Sequence, residues 1–106
     1  MKEIKAFIRN NMVDYVIDAI ENLPDAPGIT LSEVRGWGHV KGEERARLIE
    51  RTKLETVVPT NRVDEIIDVI TENGRTGNPG DGKIFVSDVE RGVRVRTGET
   101  DEDVIR

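Results

Sequence analysis

The chain has 106 residues, 35% of them charged and only 4% aromatic, with no cysteine and a net charge of −5. That length suits one domain with a lean aliphatic core, and a domain this small often gains stability by association. The missing cysteines exclude disulfides and thiolate metal sites, the acidic balance argues against nucleic-acid binding, and no apolar run is long enough for membrane insertion or resembles a leader, so a cytoplasmic protein is expected.

Residues 4–8 alternate apolar and polar and then end in an apolar pair, which predicts a first strand. Asn10 and Asn11 break the pattern and offer an N-cap. Val13, Val16, Ile17, Ile20 and Leu23 then recur on one face of a helix. Residues 24–28 carry two prolines and a glycine and end it, and residues 29–34 alternate as a second strand. Gly36, Gly38 and Gly42 punctuate the end of that strand, and the charged residues 43–51 read as a short helical or mobile loop. Residues 53–58 form a third strand stopped by Pro59. Thr60 and Asn61 offer a second N-cap; Val63, Ile66, Ile67 and Ile70 make a second one-faced helix, with Gly74 suited to its C′ position. A glycine-rich loop leads to a fourth strand from Lys83 to about Val89, and residues 93–96 make a short extended piece before an acidic tail.

The two halves echo each other, since residues 11–14 (Asn-Met-Val-Asp) and 61–64 (Asn-Arg-Val-Asp) both open a helix after an extended segment. The resulting order is βαββαβ. It predicts an α+β, ferredoxin-like sandwich: an antiparallel four-stranded sheet with both helices on one face. The opposite face of the sheet needs a cover, and self-association is the economical one.

Chemistry concentrates in residues 76–86. Gly77 to Lys83 matches G-x-x-x-x-G-K, the P-loop spacing, but Ile84 replaces the magnesium-binding hydroxyl and a strand follows instead of a helix. The loop reads as another kind of phosphate loop or as a tight turn into a strand. Arg94 and Arg96, on an extended segment, point to the same side, which suits a polyphosphate or simply protects an edge strand. Arg51 and Lys53 add charge, and the glycines at 36 and 38 allow a base or ribose to approach the backbone. The single histidine, His39, has no partner for a catalytic dyad, so no enzymatic constellation is evident and any metal site is unknown.

Several stretches together resemble the PII family of nitrogen-regulatory signalling proteins. They are residues 1–4, 30–38, 53–59, the run Arg75-Thr76-Gly77-Asn78-Pro79-Gly80-Asp81-Gly82-Lys83-Ile84-Phe85-Val86, and Val93-Arg94-Val95-Arg96-Thr97-Gly98-Glu99. The resemblance covers nearly the whole chain as one domain, 1–106. It implies a short T-loop at about 39–52, a B-loop at about 75–83 and a C-terminal segment at 90–106. It further implies a homotrimer that binds ATP or ADP as an effector in clefts between subunits and regulates a target protein without being an enzyme. Carried over by position, Gly80, Asp81, Gly82 and Lys83 would hold the phosphates, joined by Arg94 and Arg96. Thr30, Gly36, Gly38 and Val57 would line the adenosine end, and Arg51 would be a basic contact near the return of the T-loop. His39, Lys41, Arg45 and Arg47 would form the partner-binding loop.

The chain departs from the pattern in that loop. It is several residues short and has no tyrosine, so uridylylation at the usual site is not expected. Val40 stands where the family has a glutamine that helps coordinate Mg²⁺ and 2-oxoglutarate, so the expected member is divergent, without the usual 2-oxoglutarate sensing or that ligand for Mg²⁺. The alternative is a PII-like sensor of another small ligand or a metal, acting on a transporter or metal-handling protein.

Overall fold

The computed structural model describes residues 1–105, and the side chains of all of these but 102 and 103; the end of the expected C-terminal segment, residue 106, lies outside them. Four strands form: β1 (Lys2–Ile8), β2 (Thr30–Gly38), β3 (Arg47–Val58) and β4 (Gly82–Asp88). Helix α1 (Val13–Glu21) joins β1 to β2, and α2 (Val63–Gly74) joins β3 to β4. The sheet order is β2-β3-β1-β4, with every neighbouring pair antiparallel. This is the expected ferredoxin-like α+β sandwich.

Alternation along the strands decides which face the helices cover. Ile4, Ala6 and Ile8 of β1 and Leu54 and Val58 of β3 turn inward, against Val16 and Ile20 of α1 and Ile66 and Ile70 of α2. Each of these is at most 4% exposed, and burying such an aliphatic side chain contributes roughly 1.5–3 kcal/mol. Thr52 and Thr56 share that interior, and their hydroxyls donate to Asn10 Oδ1 at 2.8 Å and to the Gly28 carbonyl at 2.7 Å. Those bonds offset the cost of burying a hydroxyl.

Four local expectations need correction. The asparagines and threonine expected as N-caps make no capping bond; each helix is instead entered through a 3₁₀ turn, Asn10–Met12 and Thr60–Arg62. In these turns Met12 N donates to Arg9 O at 3.0 Å and Arg62 N to Pro59 O at 2.9 Å, so the two halves do repeat one entry motif. Asn10 is occupied as the acceptor for Thr52. Gly74 is the last residue of α2, not a left-handed C′ residue, and sits at a packed contact: a Cβ there would lie 3.4 Å from Val16 and 3.6 Å from Ile8.

The third correction concerns β2 and β3. Both are longer than the alternation suggested, pairing out to Gly38↔Arg47, so residues 47–51 are strand and not a helical or mobile loop. β1 stops pairing with β3 at Ile8↔Thr52. Beyond that row the two strands run on as a ribbon closed by residues 39–46, where Glu43 N donates to Val40 O at 3.0 Å and Gly42 takes φ +93°. The ribbon accounts for a radius of gyration of 15.2 Å, against about 13 Å for an average compact domain of this length. Fourth, residues 93–96 are not an extended strand. Val93 bridges Thr100, Arg94 N donates to Glu99 O and Gly98 N to Arg94 O, both at 2.8 Å, so Val95 to Thr97 form a tight turn. The same-side argument for Arg94 and Arg96 therefore lapses.

Candidate functional site

Three segments converge at one end of the sheet face that the helices leave open. They are the outer half of β2, the start of β3, and the loop of residues 75–81 with the first residues of β4. Between them lies a cleft of about 570 Å³, within the usual range for a small-molecule site. Gly36, Gly38, His39, Arg51 and Lys83 face it, above Phe7 and Phe85. Those two rings pack edge to face with centroids 6.3 Å apart.

Loop 75–81 takes its shape from one carboxylate. Helix α2 ends where Arg75 turns extended, φ −85° and ψ 144°. The chain then wraps around Asp81. Its Oδ2 accepts from the amides of Thr76 and Gly77, each at 2.9 Å; its Oδ1 accepts from the Thr76 hydroxyl at 2.6 Å and from Arg9 Nε at 2.8 Å. Hydrogen bonding to the charged form favours it, and the Thr76 hydroxyl, then Arg9, then the two amides hold the Asp81 carboxyl far below its ordinary range. Arg9 also donates to Pro79 O at 2.8 Å, and Arg51 donates to Gly80 O. The loop closes at Gly82, whose φ is +110° and where a Cβ would sit 1.7 Å from the Phe7 carbonyl oxygen. Only glycine fits there.

The charge of the site is basic despite the acidic chain. Burial lowers the pKa of Arg51, and the neighbouring guanidiniums of Arg9 and Arg47 lower it further, against Asp81. At the mouth of the ribbon Arg47 pairs with Glu43 at 2.8 Å, and that hydrogen bond raises its pKa. Lys83 is exposed and forms no ion pair among the described residues.

The expected site residues fall into two groups. Gly36, Gly38, Arg51, Gly80, Asp81, Gly82 and Lys83 all line the one cleft. Thr30, Val57, Arg94 and Arg96 lie elsewhere. Thr30 is six residues from Gly36 along β2, about 20 Å in an extended strand. Val57 pairs with Glu3, while Gly82 pairs with Ile8 at the other end of β1. The C-terminal segment sits beside Val57's end of the sheet, since Val89 N donates to Met1 O. Arg94 lies within 3.7 Å of Glu99; Arg96 is exposed and forms no ion pair among the described residues. Of the loop residues, His39 faces the cleft, and Lys41, Arg45 and Arg47 are exposed around the tip of the ribbon. Among the described residues no three His, Cys, Asp or Glu side chains gather as a metal site, and no helix is long and apolar enough to cross a membrane.

Sequence reasoning missed Arg9 and Thr76. Nothing local marks Arg9, whose partner is 72 residues away; Thr76 stood inside the motif, but its hydroxyl's target becomes visible only when the loop closes.

A family model described as "Nitrogen regulatory protein P-II" matches residues 1–99 of the chain. The nitrogen regulatory protein P-II of Haemophilus influenzae is 42% identical over 113 aligned positions, which take in 99% of this chain and the whole of that protein. That of Pasteurella multocida is 44% identical and nitrogen regulatory protein P-II 1 of Escherichia coli K12 is 40% identical, with the same coverage. An alignment of 113 positions exceeds the 106 residues here, so the Haemophilus protein carries residues that this chain lacks.

Proposed function

The chain belongs to the nitrogen regulatory protein P-II family, and from that premise we propose that it is a non-enzymatic cytoplasmic regulator that binds ATP or ADP between the subunits of a homotrimer. One observation carries the reading: the two groups of site residues stand at opposite ends of one sheet. A single copy offers Gly36, Gly38, Arg51 and the loop with Lys83 at one end, and Val57, Arg94 and Arg96 at the other, with Thr30 on the outer strand in the middle row of Glu55 and Lys5. Each group is half of a nucleotide site, and a neighbouring copy supplies the missing half. The open sheet face supports the same assembly. Its Lys53–Glu55 pair at 3.4 Å on β3 and Lys5–Glu3 pair at 3.8 Å on β1 share that face with Phe85 of β4, which is 56% exposed, a polar and apolar mixture suited to a subunit contact.

In this reading the phosphates lie against the loop amides and Lys83, with Arg94 and Arg96 of the neighbouring subunit neutralising their charge. Arg51 ties Gly80 to the root of the β2–β3 ribbon, so nucleotide in the cleft biases the ribbon whose tip, with Lys41, Arg45 and Arg47, meets the target protein. Lys83→Ala and Arg96→Ala are each expected to abolish ADP and ATP binding by calorimetry while leaving the trimer intact by light scattering. Unchanged affinity in both variants rejects the site. His39 in the cleft wall favours a second reading, a small anionic ligand or metal in place of nucleotide. Equilibrium dialysis against both, with and without ADP, separates the two.

A further inference from the structure

We infer that Arg9 and Asp81 form a clasp behind loop 75–81, two positioning residues that hold its tip, with the amide of Gly80, toward the cleft, and that Asp81 shapes the anion site without touching the anion. The clasp stands on its own geometry; its consequence for binding rests on the anion-site reading above.

An ionised carboxylate offers about four acceptor positions. The four donors around Asp81 (two amides, one hydroxyl and one guanidinium) fill them, so the side chain is satisfied by the loop itself and has its charge balanced by Arg9. Arg9 is used twice, Nε on Asp81 and Nη2 on the Pro79 carbonyl, while Arg51 takes the Gly80 carbonyl from the same side. The two guanidiniums press so close to Gly80 that a Cβ there would lie 3.2 and 3.3 Å from their nitrogens. The peptide bonds of the described residues are all trans, so in each planar unit the N–H opposes the C=O. With the carbonyls of 79 and 80 held by guanidiniums, the amides of Gly80 and Asp81 point the other way; the Gly80 amide meets no acceptor among the described residues, while the Asp81 amide closes a loose turn over residues 79–80 toward the Asn78 carbonyl. A loop rich in glycine would otherwise lose much conformational entropy on closing around a ligand. Fixing it beforehand to Arg9, at the end of β1, removes that cost and strengthens binding.

The test uses the full chain with Arg9→Ala, Asp81→Ala, their double variant and Arg9→Lys, and takes Lys83→Ala as reference. Hydrogen exchange without ligand is read at the amides of Thr76 and Gly77, with Leu54 as a control for global folding. Either single alanine variant is expected to speed exchange at 76 and 77 about tenfold or more with Leu54 unchanged. The double variant should be no faster than the singles, because each removes the same clasp. Lys83→Ala should leave exchange as in the wild type. By calorimetry, ADP affinity should fall about tenfold or more in Arg9→Ala and Asp81→Ala, again without additivity, and Arg9→Lys should recover part of it. Unchanged exchange in both single variants, additive effects in the double, or faster exchange with undiminished ADP affinity each overturns the inference. Should the wild type bind no ADP, the nucleotide reading falls, and the exchange measurements alone decide the clasp.

Discussion

Gly82 shows how one position can govern both the fold and the site. Its φ of +110° lies outside the range that side chains tolerate, and a Cβ would overlap the Phe7 carbonyl at 1.7 Å, a backbone atom that has no rotamer to escape into. The same residue starts β4 opposite Ile8 and closes the loop that cups the cleft. Gly82→Ala must therefore break the first β1–β4 pair or reshape the loop, and it is expected to cost more than about 2 kcal/mol. Gly77 is also at positive φ, but a Cβ there would meet nothing within 4 Å. Gly77→Ala is expected to cost only the backbone strain of about 1–2 kcal/mol. Urea titrations of the two alanine variants check the order, and equal midpoints would show that the Phe7 contact carries no weight. Asp81 illustrates the converse limit of a motif: the sequence placed it in the phosphate loop, while its carboxylate is spent on the loop's own amides and on Arg9.

At the scale of elements, periodicity was the legible signal and glycine the illegible one. Every core residue of β1, β3, α1 and α2 sits where alternation or helical spacing put it, because burial of one face is a property of local pattern. The outer ribbon escaped notice because Gly36 and Gly38 carry no side chain with which to alternate, and residues 43–51 are too charged to suggest a buried face. That ribbon has no buried face to report: Trp37 is 72% and Leu48 52% exposed across a single cross-strand pair. Gly74 misled in the other direction. It looked like a helix stop, yet its backbone is right-handed and its role is the close fit of α2 on Val16 and Ile8. Since contacts of 3.4 and 3.6 Å are ordinary packing, Gly74→Ala should fit, and the gain in helix propensity, up to about 1 kcal/mol, should appear as a raised melting temperature. Gly74→Val adds two methyls to the same contact and should lower it. A destabilising Ala variant would mean that the helix end cannot shift even by a few tenths of an ångström.

For the whole molecule, the candidate site is legible in sequence only as a set of residues and not as an arrangement. Gly80, Gly82, Lys83, Arg94 and Arg96 stand in recognisable motifs, but sequence alone does not reveal that the first three and the last two lie at opposite ends of a sheet. That separation follows from the antiparallel order β2-β3-β1-β4, which returns β4 to the Met1 end before the C-terminal turn begins. It also makes the inter-subunit reading testable without a structure of the assembly. If each site takes Lys83 from one subunit and Arg96 from the next, neither Lys83→Ala nor Arg96→Ala trimers bind ADP alone. Denatured together in equal amounts and refolded, they form mixed trimers. A site is intact when its loop half comes from an Arg96→Ala chain and its arginine half from a Lys83→Ala chain. With random assembly each condition holds for one half of the sites, so about a quarter should recover wild-type affinity. Calorimetric stoichiometry reads that fraction directly. If Lys83 and Arg96 served a site within one chain, every chain in the mixture would still lack one of them and no site would recover, so zero recovery in verified mixed trimers rules out a shared cleft.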